Sequence, residues 1–204
     1  VESAINEVKL LEDNDFTDIV VSVKASSVPL TVEAYRLLSS KVNYPLHVGI
    51  TEAGTLLPGA IRSSVGIGIL LYEGIGDTIR VSLASSPDKE VEVAYEILDS
   101  LEIRRKGLRV IACPMCARAH FPVGEIAKKI ENKFKDYSLN LTIAVMGCEV
   151  NGPGEAKWAD LGIAGSQNRV IIFKYGKIIK ETDWKHVLFE LEKELNMWKE
   201  VNTN

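Results

Sequence analysis

The chain has 204 residues, 46% of them hydrophobic and 25% charged, with a net charge of −4 and a mean hydropathy near zero. That balance suits a globular protein with one large or two small domains and excludes a low-complexity or disordered one. No window approaches the roughly 18 uninterrupted apolar residues of a membrane span, and the acidic first thirty residues lack a signal-like pattern, so a cytoplasmic protein with no membrane association is expected. No basic run with interleaved aromatics is present, which argues against nucleic acid as a partner.

The chain begins at Val1 rather than Met and reads as an excised piece of something longer. An amphipathic lead, Ile5 to Asp15, precedes the β-branched run Phe16 to Lys24, expected as a buried strand. Val28 to Lys41 has helical spacing, Pro45 to Ile50 is strand-like, and Thr51-Glu52-Ala53-Gly54 is a loop. Ile61 to Tyr72 predicts a helix apolar on most faces and therefore well buried. Asp77 to Leu83 predicts a third strand. Ser85-Ser86-Pro87 then opens an acidic helix to Leu101, with Val91, Ala94, Tyr95 and Leu98 inward. Such alternation predicts parallel strands with right-handed crossovers, in a doubly wound sheet or part of a barrel. In either, residues just past the strand C-termini form the working face, which places Lys24, Thr51, Glu52, Arg80 and Ser82 on one rim.

At Arg104-Arg105-Lys106-Gly107 the composition turns polar, and a boundary there divides residues 1–106 from a smaller α/β domain at 107–204. In the second part, Leu108 to Ala112 and Leu141 to Met146 are expected strands, with a helix from Val123 to Phe134 between them. Leu161 to Ala164 and Val170 to Lys174 are expected as a hairpin, with its turn at Tyr175-Gly176. A closing amphipathic helix runs from Trp184 to Lys199.

Only three cysteines occur, Cys113, Cys116 and Cys148, each at the end of an apolar run beside Gly or Pro. Cys148 lies 32 positions after Cys116, and parallel neighbouring strands would bring the three thiols together. An odd count suits a reducing compartment and ligand duty better than disulfides. The pattern alone allows an iron–sulfur cluster, structural zinc with His120 as the nearby extra ligand, or buried inert cysteines. Three thiolates leave one iron of a cubane needing another ligand, and the glycine-rich Asn151-Gly152-Pro153-Gly154-Glu155 offers backbone amides and a carboxylate.

Elsewhere His47 is read as an inward strand residue and His186 as a helix-face residue. The Gly66/Gly68 and Gly74/Gly76 pairs lack the context of a dinucleotide fingerprint and are read as packing and turn positions.

Cys113-Pro114-Met115-Cys116 and Cys148 to Glu155, with His47 to Gly54 and Gly74 to Ser82 upstream, resemble the hydroxymethylbutenyl diphosphate synthases, the IspG or GcpE family of the non-mevalonate isoprenoid pathway. The resemblance runs from about Phe16 to Leu195. It implies a TIM-type barrel followed by a small [4Fe–4S] domain, in a head-to-tail homodimer. The implied reaction is reductive ring opening and dehydroxylation of methylerythritol cyclic diphosphate, with ferredoxin or flavodoxin supplying electrons one at a time. Carried over by position, the cluster ligands fall on Cys113, Cys116, Cys148 and Glu155, and the diphosphate-binding residues on Lys24, Arg80 and Ser82. Glu52 beside Thr51 takes the place of the substrate-contacting acid, and Asn151 that of a residue helping to close the site.

The match begins well inside the family pattern. Three strand–helix units, or four with the lead segment, precede the thiol domain, whereas a complete barrel has eight. The early strands and their diphosphate-holding arginines have no counterpart. The chain alone is therefore expected to assemble its cluster domain but turn over poorly. Rival readings are a non-catalytic fragment and a structural metal-binding α/β module.

Overall fold

The computed structural model describes all residues except 115, 117, 118, 120, 121, 149–151, 153, 155, 166–168, 203 and 204, with 200–202 described by backbone alone. The chain forms two compact units, Val1–Arg105 and Lys106–Asn204. No described helix is long and apolar enough to cross a membrane.

The first unit opens with α1 (Glu2–Glu12), whose Val1, Ala4, Ile5 and Val8 recur at helical spacing and pack on the unit's core. Helix α2 (Val28–Ser39) starts cleanly because the Ser27 hydroxyl accepts from the Leu30 amide and Pro29 sits in the first turn. Strand β1 (His47–Gly49) pairs in parallel with β2 (Thr78–Arg80), bringing Gly49 opposite Arg80. Asp77 fixes this register: its carboxylate accepts from the Leu46 amide at 2.8 Å, and its own amide donates to the Leu46 carbonyl at 2.9 Å. Between the strands runs α3 (Leu56–Tyr72), and α4 (Pro87–Ser100) follows β2 with Ser86 as N-cap and Pro87 in its first turn.

Three expectations for this unit need correction. Phe16–Lys24 is not a buried strand: only Ile19 and Val21 are buried, and the ladder is a single parallel bridge from Val21 to Leu46. The Val21 amide donates to Pro45 and the His47 amide to Val21, so the segment pairs through one side, with Phe16 and Val20 exposed. Nor is α3 buried on most faces. It contacts α2, α4 and β1, which cover Ser63, Gly66, Ile67 and Leu70, while Leu57, Ile61, Val65 and Tyr72 face outward. Gly66 is where α3 crosses closest, since a Cβ there would lie 2.5 Å from Ile50 Cδ1. In α4 Val91 is exposed, and the inward stripe is Val93, Ala94 and the buried Ile97.

The second unit is a five-stranded sheet of order β3-β4-β5-β6-β7. Strands β3 (Arg109–Ala112), β4 (Thr142–Met146) and β5 (Leu161–Gly165) are parallel, whereas β6 (Val170–Lys174) and β7 (Lys177–Thr182) continue antiparallel. The antiparallel pairing of β5 with β6 was expected, but Tyr175-Gly176 turns the chain from β6 into β7, a strand the apolar pattern did not reveal. Lys177 to Glu181 are all exposed, so β7 lacks the alternation that marks a half-buried strand.

Ile143, Val145, Leu161, Ile163, Val170 and Ile172 share a core with residues of α5 (Val123–Lys133) and α6 (Val187–Asn202). Each such fully buried side chain contributes about 1.5–3 kcal/mol. The alternate residues Ala144, Met146, Ala164, Ile171 and Phe173 join a separate cluster with Ala156 and Ala159. Gly162 makes room there for Phe173, whose ring lies 2.1 Å from where a Cβ would stand. Trp184 precedes α6 and is exposed, so the expected stripe from Trp184 begins instead at Val187, after a turn in which Asp183 accepts from the Lys185 and His186 amides.

Candidate functional site

In the first unit the site grows from the C-terminal ends of the parallel strands. Along an extended segment residues two apart share a face, so Ser22 and Lys24 project together. The Lys24 ammonium donates to Ser22 Oγ, and Ser22 in turn donates to the His47 carbonyl at 2.9 Å. Opposite, Gly49 lets the lysine stem pass: a Cβ there would lie 3.2 Å from Lys24 Cε and 2.5 Å from the Arg80 carbonyl. His47 Nδ1 sits 2.8 Å from Thr78 Oγ1.

The electrostatics show that Lys24, Arg80 and His47 feel one another. Burial first and the Arg80 charge second hold the Lys24 ammonium below the usual lysine range. For His47 burial again leads, followed by the charges of Lys24 and then Arg80, all lowering its pKa. Among the described residues neither Lys24 nor Arg80 has a carboxylate partner. Two neighbouring cations without a carboxylate partner make this part of the rim electropositive.

Glu52 and Ser82 line a different part of the rim, a cleft of about 390 Å³ shared with Gly54, Leu83, Ala84 and Glu90. Its walls are tied by the Ala84 amide donating to Gly54 and the Leu83 amide donating to the Glu90 carboxylate, both at 2.8 Å. Glu52 is exposed and adopts the left-handed backbone conformation at φ 51°, which is costly for a residue with a Cβ and recurs at functional positions. Thr51 is half-buried, and its amide donates to the Ala25 carbonyl at 3.1 Å. Sequence reasoning missed Ser22, Tyr35, Gly49 and Glu90. The two-residue spacing of Ser22 from Lys24 was the available signal for the first.

In the second unit the parallel register puts Ala112 beside Val145, so Cys113 and Gly147-Cys148 follow at adjoining strand ends. The Gly147 amide donates to Cys113 Sγ at 3.1 Å, and the Cys113 amide donates to Val145 at 3.1 Å. After the Cys-x-x-Cys, the Ala119 amide donates to the Cys116 carbonyl, and Ala119 packs so tightly on Gly147 that a Cβ there would meet its methyl at 2.9 Å. Cys116 is exposed, and Cys113 and Cys148 are half-buried. None of the three forms a disulfide. Among the described residues no three His, Cys, Asp or Glu side chains form a set able to hold a metal ion. Glu155, Asn151 and His120 lie outside the described residues. The chemistry of the donor set suits a thiophilic metal group: soft ligands, two at neighbouring strand ends, with a backbone N–H aimed at one sulfur.

The two units thus define an α/β protein with a cationic rim on one unit and a thiol-bearing strand edge on the other. The sequence model of the GcpE TIM-barrel domain matches residues 1–95, and that of the GcpE protein C-terminal domain matches residues 109–197. The chain belongs to the GcpE family. It is 53% identical over 196 residues to the 4-hydroxy-3-methylbut-2-en-1-yl diphosphate synthase (flavodoxin) of Ruminiclostridium cellulolyticum, covering 96% of this chain and 56% of that protein. Proteins of the same name from Caldanaerobacter subterraneus subsp. tengcongensis and Lawsonia intracellularis are each 55% identical, over 195 and 180 residues. These matches cover 96% and 88% of this chain, and 55% and 50% of the relatives. The chain spans about half the length of the curated relatives it matches.

Proposed function

We propose that this chain is the late-barrel and iron–sulfur part of a hydroxymethylbutenyl diphosphate synthase, and that its rim binds the diphosphate of methylerythritol cyclic diphosphate. The observation that carries this is the pair Lys24 and Arg80, two cations at parallel strand ends with no carboxylate partner among the described residues. The parallel bridge at Val21, the parallel β1–β2 pair and the alternating helices support a barrel segment whose first strand pairs on one side.

In this reading the Lys24 ammonium and Arg80 guanidinium neutralise phosphate oxygens, and Ser82 donates its hydroxyl to the same anion. Glu52 lines the same cleft as Ser82 and acts as a proton donor to the departing oxygen. Its left-handed backbone fixes where the carboxyl emerges from the loop. Overall, two electrons and two protons enter, the ring C–O bond opens, and the departing hydroxyl leaves as water. Cys113, Cys116, Cys148 and Glu155 would hold a [4Fe–4S] cluster, which when bound supplies the electrons one at a time. The Gly147 amide supports the charge on the Cys113 sulfur.

A flavodoxin-type donor, itself acidic, fits the charge distribution. Residues 106–204 carry fifteen Lys and Arg against twelve Asp and Glu, whereas residues 1–105 carry nine against sixteen, so the thiol-bearing unit is the one that attracts an acidic carrier. The test is anaerobic reconstitution with iron and sulfide, then electron paramagnetic resonance, pyrophosphate binding, and turnover with a strong one-electron donor. A reducible cluster signal and pyrophosphate binding that is lost in Lys24→Ala and Arg80→Ala support the reading. Protein that binds zinc but assembles no cluster, or unchanged pyrophosphate affinity in both variants, overturns it.

A further inference from the structure

A buried hydroxyl network lies directly beneath the Lys24 ammonium. Tyr35 is fully buried, and its phenol accepts from the Val23 amide at 3.1 Å while donating to the His47 carbonyl at 2.6 Å. Ser22 Oγ is 3.3 Å from the same phenol and donates to the same carbonyl. Each group has an assigned role: the His47 carbonyl accepts twice, on both its lone pairs, and the Ser22 hydroxyl spends its proton on it. A Ser22 lone pair is left facing outward, and Lys24 donates into it. The ammonium carries three protons, so one anchors it to Ser22 and two remain for an anion.

The lysine stem is confined on its other side by Gly49, where a Cβ would crowd both Lys24 Cε and the Arg80 carbonyl. The same glycine therefore makes room both for the lysine stem and for the backbone of the strand that carries Arg80. Tyr35 belongs to α2 and has no route to solvent. A phenylalanine would fill the same volume, so the hydroxyl is there for its hydrogen bonds rather than for packing.

We propose that Ser22, Tyr35 and Gly49 are positioning residues that seat the Lys24 ammonium beside Arg80 and aim its two remaining N–H groups at a phosphate. This rests on the anion-binding reading of the rim and adds the residues that set its geometry. None of the three touches the anion. Ser22 acts through one hydrogen bond to Lys24, Tyr35 acts through Ser22 and His47, and Gly49 acts by leaving space. An aimed ammonium loses less side-chain freedom on binding than one free to rotate, which is how the network improves affinity.

The experiment uses this chain, with the Lys24 side chain followed by NMR through a pH titration and the affinity for inorganic pyrophosphate measured alongside. Ser22→Ala removes the acceptor that favours charged Lys24, so the Lys24 titration midpoint should move further down and pyrophosphate should bind about fivefold more weakly. Ser22→Thr, which keeps the hydroxyl, should restore both. Tyr35→Phe should move the midpoint in the same direction by less, and Gly49→Ala should weaken pyrophosphate binding with little change in the midpoint. A Lys24 midpoint that is the same in Ser22→Ala as in the parent overturns the proposal, even if Gly49→Ala fails to fold. If Lys24→Ala binds pyrophosphate as tightly as the parent, the anion reading fails instead, and the Lys24 midpoint in Ser22→Ala still decides whether the network positions the lysine.

Discussion

The amide of Gly147 donates to the sulfur of Cys113 across 3.1 Å, joining the ends of two parallel strands through a thiol. A backbone N–H aimed at a sulfur is an outer contact that orients a thiol ligand toward a metal. The donor is fixed by its own lack of a side chain, since a Cβ on Gly147 would stand 2.9 Å from Ala119 Cβ and 3.1 Å from Val123 Cγ2. Gly147→Ala should therefore push the amide off Cys113 and lower the iron and sulfide retained after anaerobic reconstitution severalfold. Elemental analysis with circular dichroism, to show that the sheet persists, checks this.

Glu52 supplies a second prediction through its backbone. Its φ of 51° is one that glycine adopts freely and glutamate does not. Glu52→Gly should stabilise the first unit by about 1 kcal/mol while removing the carboxyl. Calorimetry should show a higher Tm for Glu52→Gly than for the parent. A lowered Tm would show that the side chain contributes more to the fold than the strain costs.

Anion binding at the rim should depend on pH in a defined direction. Both Lys24 and His47 have pKa values lowered by burial and by neighbouring cations, Arg80 for Lys24 and Lys24 and Arg80 for His47. A bound anion favours the protonated forms, so it raises both values and takes up protons. Sulfate, whose charge is fixed across this range, should bind more weakly as pH rises through the Lys24 value, below 10.5, and more tightly as pH falls through the His47 value, below 6.5. Titration calorimetry in buffers of different ionisation enthalpy measures the proton uptake. His47→Gln should abolish the low-pH rise and leave the high-pH fall.

Folding stability has its own sign at His47. The folded value is the lower one, so the unfolded chain binds the extra proton more readily. His47 therefore subtracts stability as pH falls from its ordinary value through its depressed one, and has no such effect well above it. Urea midpoints between pH 8 and 5 should decline less in His47→Gln than in the parent.

In the second unit Gly162 admits the Phe173 ring, which would lie 2.1 Å from a Cβ. Gly162→Ala should cost about 1–3 kcal/mol by overpacking, and Gly162→Ala combined with Phe173→Leu should recover part of it. Urea unfolding of Gly162→Ala, Phe173→Leu and the double variant tests the coupling.

How far the sequence reaches can be seen in particular residues. Lys24 and Arg80 are placed at one end by a rule of topology: alternating strands and helices make parallel strands, and parallel strands put their C-termini together. The helices α2, α5 and α6 follow from periodic apolar residues and, at α2, from Ser27 and Pro29. By contrast, the β-branched run at Phe16–Lys24 signals a strand but not its burial, which depends on how many neighbours it has. Strand β7 escapes because its burial does not alternate. The left-handed Glu52 and the Tyr35–Ser22–His47 network were not legible, since the partners lie 12 to 25 residues apart and only the folded register brings them together.

On one face of the second sheet the described loop residues that join the core are alanines. Ala156 and Ala159 join Ala144, Met146, Ala164, Ile171 and Phe173 there, whereas the opposite face is held by helices α5 and α6 with Ile126, Ile130, Leu191 and Leu195. The two alanines themselves contribute one methyl each to that cluster, about 0.8 kcal/mol apiece. Parting either helix from the sheet exposes several times as much. The amides of Ala156 and Ala159, bonded only to the Gly152 and Ala156 carbonyls, should thus exchange with solvent deuterium well before those of β4 or α5. Residues 156–159, which follow the thiol edge in sequence, should open before β4 or α5.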